Sequence, residues 1–274
     1  MKTRLITGIV LGLVFVPLFY IGGVVLELAL VVVTVVATFE LFTLYNTKEQ
    51  LPYYMAGLYM VLSGGLFVLI AEYYSNPVFN IEWIFVGMFA VLVIGSLLLV
   101  FVEEFQSNRI GELLFAVLYP SIGFGAIFGL RSYGFDVIGF LFLITIATDI
   151  FAYIVGINFG KHRLAIKISP KKSVEGSIGG TAFAIVFTLG YVWALDVGMI
   201  GSITLSVGVT IGLVLLLSVI GQIGDLVASK LKRHMEIKDF SNIFPGHGGV
   251  MDRFDSVILA AIVLMLISKV VELL

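Results

Sequence analysis

The chain has 274 residues, of which 60% are hydrophobic and only 12% charged, and its mean hydropathy is +1.13. Soluble globular domains are about 45–50% apolar and about 25% charged, so one water-soluble core cannot absorb this much apolar surface. The composition indicates an all-α, polytopic integral membrane protein and excludes disordered, fibrous and disulfide-rich classes. The absence of cysteine also excludes thiolate metal sites and thiol nucleophiles. The formal net charge of −2 says little about partners, because the positions of the basic residues matter more.

Apolar runs long enough to cross a membrane recur along the whole chain. A helix needs about 20 mostly apolar residues to span about 30 Å of hydrocarbon. With this window the sequence predicts about nine transmembrane helices. The first run follows Lys2 and Arg4, as in a signal peptide, but it lacks a convincing small-residue cleavage site, and we expect a retained helix. The predicted spans are residues 5–22, 24–45, 55–71, 83–102, 110–129, 135–157, 177–198, 202–224 and 256–273.

The basic residues predict how the helices are oriented. Most of the 16 Lys and Arg residues lie between spans six and seven or between spans eight and nine, which must be on the same side of the membrane. Positively charged loops are retained in the cytoplasm. We therefore expect a multi-pass protein of the inner, cytoplasmic membrane with its N-terminus inside. The residues on the predicted cytoplasmic side are Lys2, Arg4, Lys48, Arg109, Lys161, Arg163, Lys167, Lys171, Lys172, Lys230, Lys232, Arg233, Lys238 and Arg253, which leaves Arg131 and Lys269 outside.

Polar residues are unevenly distributed among the predicted spans. They are few in the first half, where Glu27 and Glu40 are exceptions, and they concentrate in the second half. No matching pair of Gly/Pro-broken segments, the usual sign of an inverted-repeat transporter, is evident. We predict N-terminal scaffold helices over residues 1–130 and a catalytic region over residues 131–274, with cytoplasmic loops at 158–176 and 225–255.

The end of the eighth predicted span is densely polar. If its helix continues past the membrane surface, positions i+4, i+7 and i+8 return to one stripe. A carboxylate, a hydroxyl and two cations in one line suit a metal-bound phosphate. An ordinary solvated helix end, with long side chains snorkelling to water, is the alternative. The stripe contains Asp225, Ser229, Lys232, Arg233 and Glu236.

A glycine-rich turn precedes the ninth predicted span. The residues Pro-Gly-His-Gly-Gly at 245–249 cannot lie inside a helix, and successive N–H groups in such a turn can form an anion-binding nest. The helix that follows has Asp252 and Asp255 on one face, a spacing that suits Mg²⁺ binding through oxygen. The two carboxylates would equally suit the positive end of the helix dipole. In the turn, His247 is placed to contact a phosphate.

Two more polar candidates lie around spans six and seven. The segment 169–173 predicts a turn that presents ammonium and hydroxyl groups to phosphate, although a polybasic loop attracted to anionic lipid is an equal alternative. Ser177 is a candidate N-cap for span seven. Asp149 lies within span six, where a carboxylate costs roughly 2.5–3.5 kcal/mol and therefore indicates a function or a partner. Its helix face also contains Tyr153, Gly156 and Gly160.

These four polar segments all end on the predicted cytoplasmic face, next to spans that can hold an apolar tail. The combination fits an enzyme that joins a water-soluble polyphosphate to a lipid headgroup. Phosphoryl and nucleotidyl transfer need charge neutralisation and in-line positioning more than covalent protein chemistry. Because the sequence offers no thiol and no obvious activated serine, direct attack by the lipid substrate is the simplest route.

The polar segments of the second half carry a family resemblance. Residues 229–233, 238–239 and 244–255 resemble the signature of the phosphatidate cytidylyltransferase (CDP-diacylglycerol synthase) family. Asp149 and residues 169–176 are also similar to that family, whereas the N-terminal half resembles it only in hydropathy. The resemblance implies a reaction of CTP with phosphatidate that gives CDP-diacylglycerol and pyrophosphate for phospholipid biosynthesis.

The resemblance also implies roles for single residues. Asp225 and Asp252 first, and then Asp255 and Asp149, would bind Mg²⁺, and a second ion such as monovalent K⁺ would accompany it. The implied partners are CTP, phosphatidate and membrane lipids, without nucleic acid, and whether the chain forms a homodimer stays open. From the residue patterns and the resemblance together, the candidate catalytic residues are Asp225, Asp252, Lys232, Arg233 and His247, and the candidate substrate-binding residues are Ser169, Lys171, Lys172, Ser173, Ser229, Lys238, Gly246, Gly248, Gly249 and Arg253.

Two other functions stay open at this point. A related lipid or polyprenol kinase that uses CTP would transfer the γ-phosphoryl group and release CDP. A transporter would use the intramembrane carboxylates as its ion path, although these carboxylates cluster at one predicted membrane face and not at the midplane.

Overall fold

The computed structural model describes residues 2–47 and 51–274, with side chains from residue 7 onward. Within these residues the protein is built from nine helices and two short hairpins, which confirms the all-α class. Lys48 and the side chains of Lys2 and Arg4, used in predicting the orientation, lie outside the described residues. The helices are α1 (Lys2–Ile21), α2 (Gly23–Tyr45), α3 (Tyr53–Ser75), α4 (Glu82–Phe101), α5 (Asn108–Tyr133), α6 (Phe135–Phe159), α7 (Val174–Ala194), α8 (Val207–His234) and α9 (Met251–Leu273), and the strands are β1 (Arg163–Ala165), β2 (Ser169–Ser173), β3 (Met199–Ile200) and β4 (Ile203–Thr204).

Each predicted span corresponds to one of the nine described helices. Eight of them, α2–α9, are long and apolar enough to cross a membrane, and the apolar part of α1, Thr7–Ile21, is shorter. The chain is therefore a multi-pass membrane protein. Hydropathy identifies the helices because about 20 apolar residues are needed per crossing, and only helices satisfy their backbone groups within one apolar segment.

The start of α7 differs from the prediction. The helix begins at Val174, because the Ser173 hydroxyl accepts a hydrogen bond from the amide of Gly176 at 3.1 Å and so caps the first turn. The expectation that Ser177 is the N-cap was therefore wrong. Residues 169–173 are also not a turn but the strand β2, which pairs antiparallel with β1.

The polar end of α8 is only partly as predicted. The helix continues to His234, so Asp225, Ser229, Lys232 and Arg233 are helical. Glu236 lies beyond the helix end with a φ of +58°, and its predicted place on the same stripe was wrong. The connection to α9 is correspondingly shorter than the predicted loop at 225–255.

The chain divides into two compact units. The first contains the residues up to Ser132 together with His234–Arg253, and the second contains Tyr133–Arg233 and Phe254–Leu274. The connection that carries the glycine-rich turn thus belongs to the unit of the N-terminal helices. The scaffold and catalytic roles assigned from sequence to residues 1–130 and 131–274 stay predictions.

In the first unit, hydroxyl groups join the interior helices. The Thr38 hydroxyl in α2 donates to Ser63 Oγ in α3 at 2.7 Å, and Ser63 Oγ lies 2.9 Å from Ser121 Oγ in α5. All three side chains are fully buried. In an apolar environment such interhelical hydrogen bonds, together with small side chains, allow helices to pack closely.

In the second unit, α6 and α7 pack through glycines. A Cβ atom on Gly176 would lie 2.6 Å from the carbonyl oxygen of Ala152, and one on Gly180 would lie 2.5 Å from that of Thr148, so neither position tolerates a side chain. Hydrogen bonds among buried hydroxyl groups join α8 to α6 and α7. Ser218 Oγ accepts from the Thr148 hydroxyl at 2.9 Å and lies 2.7 Å from Thr181 Oγ1. These contacts hold the three helices together around one cavity.

Candidate active site

The second unit contains a cavity of about 570 Å³ between α6, β2, α7 and α8. Its size is in the range of small-molecule sites, which are commonly about 300–1,000 Å³. Charged groups of both signs converge on it, together with the aromatic ring of Tyr153 and the backbone of Gly156 and Gly160. Its charged and hydroxyl-bearing lining residues include Asp149, Arg163, Lys171, Lys172, Ser173 and Asp225.

An ion pair connects two walls of this cavity. The Lys172 ammonium group on β2 contacts Asp225 Oδ2 on α8. The Ser229 hydroxyl, one helical turn further along α8, donates to Asp225 Oδ1 at 3.3 Å. Both oxygens of this carboxylate therefore have partners, which hold it at the cavity wall.

Small residues bring α9 beside the same wall. A Cβ atom on Gly224 would collide with the backbone carbonyl of Asp255, and one on Gly221 would lie 3.4 Å from the carbonyl of Ser256. This close approach places the Asp255 carboxyl group within electrostatic range of Asp225 and of the buried Lys232. Glycine at helix contacts is the usual means of such an approach in membranes.

A third acidic residue, Asp149 in α6, is held by a hydrogen bond from α9. The Ser256 hydroxyl donates to Asp149 Oδ2 at 3.3 Å, and the Ser256 amide donates to Asp255 Oδ1 at 2.8 Å. One residue of α9 therefore orients carboxylates from two helices. Asp149, Asp225 and Asp255 form what we call the acidic group of the second unit.

The hairpin β1–β2 presents the lysines to the cavity. Glu175, in the first turn of α7, accepts hydrogen bonds from the amides of Lys161 and His162 at 3.0 and 3.1 Å, and its other oxygen lies 2.6 Å from His162 Nδ1. These contacts fix the start of the hairpin to the helix. Lys171, Lys172 and Ser173 consequently line the cavity, whereas Ser169 pairs with Ala165 at the other end of β2, outside the lining.

The glycine-rich turn in the first unit is non-helical, as predicted. Gly246 and Gly248 have φ angles of +75° and +79°, in the left-handed region that favours glycine. The turn closes through backbone hydrogen bonds, in which the Phe244 amide donates to the Gly248 carbonyl at 2.9 Å and the His247 amide to the Phe244 carbonyl at 2.8 Å.

The carboxylate of Asp252 is part of this turn. Its Oδ2 atom accepts hydrogen bonds from the amides of Phe240 at 2.8 Å and Gly249 at 2.9 Å, and the side chain is buried. A Cβ atom on Gly248 would lie 2.6 Å from the same oxygen. The sequence thus has glycine where the chain passes directly over the carboxylate.

A second cavity, of about 420 Å³, opens beside the turn within the first unit. Most of its lining was predicted from sequence, and it combines two cations with the exposed Gly246 and the buried Gly248. The Thr7 hydroxyl in α1 donates to the Pro245 carbonyl at 3.0 Å, so the N-terminal helix also contacts the turn. The lining residues are Lys238, Asp239, Asn242, Gly246, His247, Gly248 and Arg253.

The predicted site residues thus fall into two groups, one in each unit. Ser229 and Lys232 interact with the acidic group without lining the first cavity, and Arg233 is exposed at the end of α8. Three polar residues were not predicted: Ser256, Gln222, which lines the first cavity and donates to Thr181 Oγ1 at 3.3 Å, and Ser241, which donates to Glu40. Glu40 had been assigned to the scaffold. For Glu40, a carboxylate in an apolar helix was the available signal.

Among the described residues, no group of three or more His, Asp or Glu side chains is arranged to enclose a metal ion. The acidic group nevertheless offers oxygen donors, the ligands that Mg²⁺ prefers. Mg²⁺ is usually bound by one or two carboxylates together with substrate phosphates and water, and not by a cage made of protein alone. The donor set of the second unit therefore fits a Mg²⁺ ion that arrives with a polyphosphate.

Comparison with known proteins shows which family the chain belongs to. A family model described as the cytidylyltransferase family matches residues 2–271. Two proteins named phosphatidate cytidylyltransferase each align with 93% of this chain. The protein of Staphylococcus aureus (strain COL) is 33% identical, and the alignment covers 94% of its length. The protein of Bacillus subtilis (strain 168) is 34% identical, and the alignment covers 93% of its length. A relative of the same name from Staphylococcus epidermidis is 35% identical over 261 residues.

The chain therefore belongs to the cytidylyltransferase family, whose members are CTP-dependent nucleotidyltransferases. The match extends over nearly the whole chain, including the N-terminal half, where the sequence alone showed only similar hydropathy. The resemblance stated from the motifs of the second half is thereby confirmed.

Proposed function

We propose that the protein transfers the cytidylyl group of CTP to phosphatidate at the cytoplasmic face of the membrane, giving CDP-diacylglycerol and pyrophosphate. The observation that carries this proposal is the cavity of the second unit, which is lined by the cations Arg163, Lys171 and Lys172 and by the carboxylates Asp149 and Asp225. The relatives named phosphatidate cytidylyltransferase support the choice of lipid substrate.

In the proposed reaction, a phosphate oxygen of phosphatidate attacks the α-phosphorus of CTP. A new P–O–P bond forms to the lipid, the bond between the α- and β-phosphates breaks, and pyrophosphate leaves with the electron pair. No side chain needs to become a covalent intermediate. The cationic residues of the cavity neutralise the phosphates, which is the main requirement of such a transfer.

We propose that Mg²⁺ is held by Asp225 and Asp255, with Asp149 beside them, and that the family's second, monovalent ion, such as K⁺, accompanies it. The charge of the ion would neutralise the polyphosphate and the mutual repulsion of the carboxylates. Lys172 and Lys232 compensate part of that repulsion in the chain itself. For Asp252, the role of metal ligand stays a sequence prediction.

The cytoplasmic orientation rests on charge. Lys161, Arg163 and Lys167 lie at the hairpin, and Lys230, Lys238 and Arg253 lie around the α8–α9 connection. Retention of basic loops in the cytoplasm puts both segments on the side where CTP is available.

The proposal is tested with purified protein in detergent micelles that contain phosphatidate and Mg²⁺. CTP labelled at the α-phosphate should transfer its label to a CDP-lipid, and CTP labelled at the γ-phosphate should release its label only as pyrophosphate. A γ-labelled lipid and free CDP would instead identify a lipid kinase, and solute flux without CTP turnover would identify a transporter.

Matched variants complete this test. Asp225→Asn should abolish the transfer, because the carboxylate at the cavity wall is lost. Asp196→Asn is the control, since Asp196 is exposed in the α7–β3 connection and its φ of +51° is a conformation that Asn tolerates. Equal loss in both variants would count against a specific role of Asp225.

A further inference from the structure

Glu40 is a fully buried carboxylate in α2, with 1% of its surface exposed. The surrounding sequence of α2 is apolar, so an unpaired carboxyl group there would cost several kcal/mol. Its partners lie about 200 residues further along the chain, in the connection that precedes α9. They are the hydroxyl of Ser241 and the amides of Val250 and Met251.

The hydrogen bonds to Glu40 are short and use both carboxylate oxygens. Oε1 accepts from Ser241 Oγ at 2.5 Å and from the Val250 amide at 2.9 Å, and Oε2 accepts from the Met251 amide at 2.8 Å. The two amides stand at the start of α9, where N–H groups lack partners within the helix and the dipole is positive. A carboxylate is the group best suited to this place.

Glu40 and Asp252 hold the same segment at neighbouring residues. Asp252 binds the amides of Phe240 and Gly249, and Glu40 binds the next residue at each end, Ser241 and Val250. Two buried carboxylates therefore fasten both ends of the loop that carries His247 and the two left-handed glycines. A Cβ atom on Gly249 would collide with the Glu40 carboxylate, so the glycine is required at that contact.

We propose that Glu40 is a positioning residue for the reaction: it fixes the glycine-rich turn and the start of α9, and thereby the cavity lined by Lys238, His247 and Arg253. The inference deepens the proposed function and rests on it. It also gives the N-terminal half a part in holding the candidate substrate-binding residues of the first unit, beyond that of a scaffold. Glu40 acts through the turn and does not itself contact a substrate.

The positioning role requires that both side-chain oxygens of Glu40 accept hydrogen bonds. Gln has nearly the same size, but its NH₂ group can only donate. In Glu40→Gln one backbone amide at the start of α9 would face another donor and lose its partner. A buried donor without a partner costs about 1–3 kcal/mol, which corresponds to about 5- to 150-fold in an equilibrium.

The test combines amide hydrogen exchange with kinetics on the full-length protein in micelles. In ligand-free Glu40→Gln, the amides of Val250 and Met251 should exchange about 10-fold faster or more, because the turn opens more often. Turnover should fall by about 10- to 100-fold. Glu27→Gln is the matched control, the same change in the same helix at a half-buried position, and should leave both quantities unchanged.

Two further variants guard against a folding defect. Ser241→Ala removes one hydrogen bond from a partly exposed residue and should produce a smaller change of both quantities in the same direction. Glu40→Asp, which keeps the charge, should retain more turnover than Glu40→Gln. Unchanged exchange and turnover in Glu40→Gln or Ser241→Ala would overturn the proposal, as would equal loss in Glu27→Gln.

The exchange measurement separates this inference from the proposed function. If the wild-type protein formed no CDP-lipid, the proposed function would fail whatever Glu40 does. If it formed CDP-lipid while Glu40→Gln kept full turnover, only the positioning role would fail. Faster exchange together with lost turnover supports both.

Discussion

Lys172 and Asp225 form an ion pair that joins strand β2 to helix α8 across the first cavity. Both side chains are only partly exposed, at 25% and 28%, so the pair is shielded from bulk water and yet accessible from the cavity. A polyphosphate entering the cavity would compete for the ammonium group, and a divalent cation would compete for the carboxylate. In the structure, the ion pair therefore holds both charged side chains at the cavity.

Replacing Lys172 by alanine should weaken the binding of CTP. The change removes a cation from the cavity and deprives Asp225 of its ion-pair partner, so we expect KM for CTP to rise by about 10- to 100-fold. Steady-state kinetics with varied CTP measure the effect. Lys167→Ala is the control: Lys167 is exposed between β1 and β2, away from the cavity lining, and its removal should change KM less than about 2-fold.

Gly224→Ala should disrupt the acidic group. The new methyl group would collide with the backbone of Asp255 and push α9 away from α8. We expect a loss of activity and a lower unfolding temperature, since overpacking costs about 1–3 kcal/mol.

Gly212→Ala, on the same helix, has open space around its Cβ position and is the control for Gly224. Alanine is the better helix former by about 1 kcal/mol, so this variant should be active and at least as stable as the wild type. Thermal unfolding in micelles, followed with activity, compares the two. A stable and active Gly224→Ala would refute the close approach of α8 and α9.

Gly248→Ala should damage the glycine-rich turn. Alanine at a φ of +79° costs about 1–2 kcal/mol, and its Cβ atom would press on Asp252 Oδ2. The expected result is a fall in turnover of at least about 10-fold. Gly57→Ala in α3 is the control, because a Cβ atom at Gly57 would contact nothing within 4 Å. This variant should keep the activity of the wild type.

Removal of Mg²⁺ should abolish activity reversibly. A chelator is expected to stop CDP-lipid formation, and added Mg²⁺ to restore it. In Asp149→Asn the Mg²⁺ concentration for half-maximal activity should rise by about 10-fold or more, because the substitution removes a negative charge and one carboxylate oxygen from the acidic group. A Mg²⁺ titration of the variant and the wild type measures this shift. Equal titrations for both would show that Asp149 has no part in metal binding.

The helices could be predicted because each crossing leaves a long apolar run in the sequence. The two ends of α7 and the start of α8 could not be predicted. The strands of the hairpins next to them are only two to five residues long, too short to leave a periodic pattern in the sequence. The N-cap at Ser173 could not be predicted either, because it depends on where β2 ends and α7 begins.

The motif residues could be predicted because carboxylates, cations and glycines are concentrated in short segments. Contacts between segments that lie far apart in the sequence could not be predicted. Ser256 reaches Asp149 across 107 positions, and Glu40 reaches Met251 across 211 positions. No local pattern records such a pairing, and only the burial cost of a carboxylate in an apolar helix indicated that Glu40 needed a partner.

The most direct test of cytidylyl transfer is a phosphorus balance by ³¹P NMR on the wild-type protein in phosphatidate-containing micelles with CTP and Mg²⁺. CTP and phosphatidate should disappear at equal rates, while the diphosphate signals of a CDP-lipid and the signal of pyrophosphate appear in equal amounts. Accumulation of CDP, or of inorganic phosphate with the phosphatidate signal unchanged, would contradict the proposed reaction.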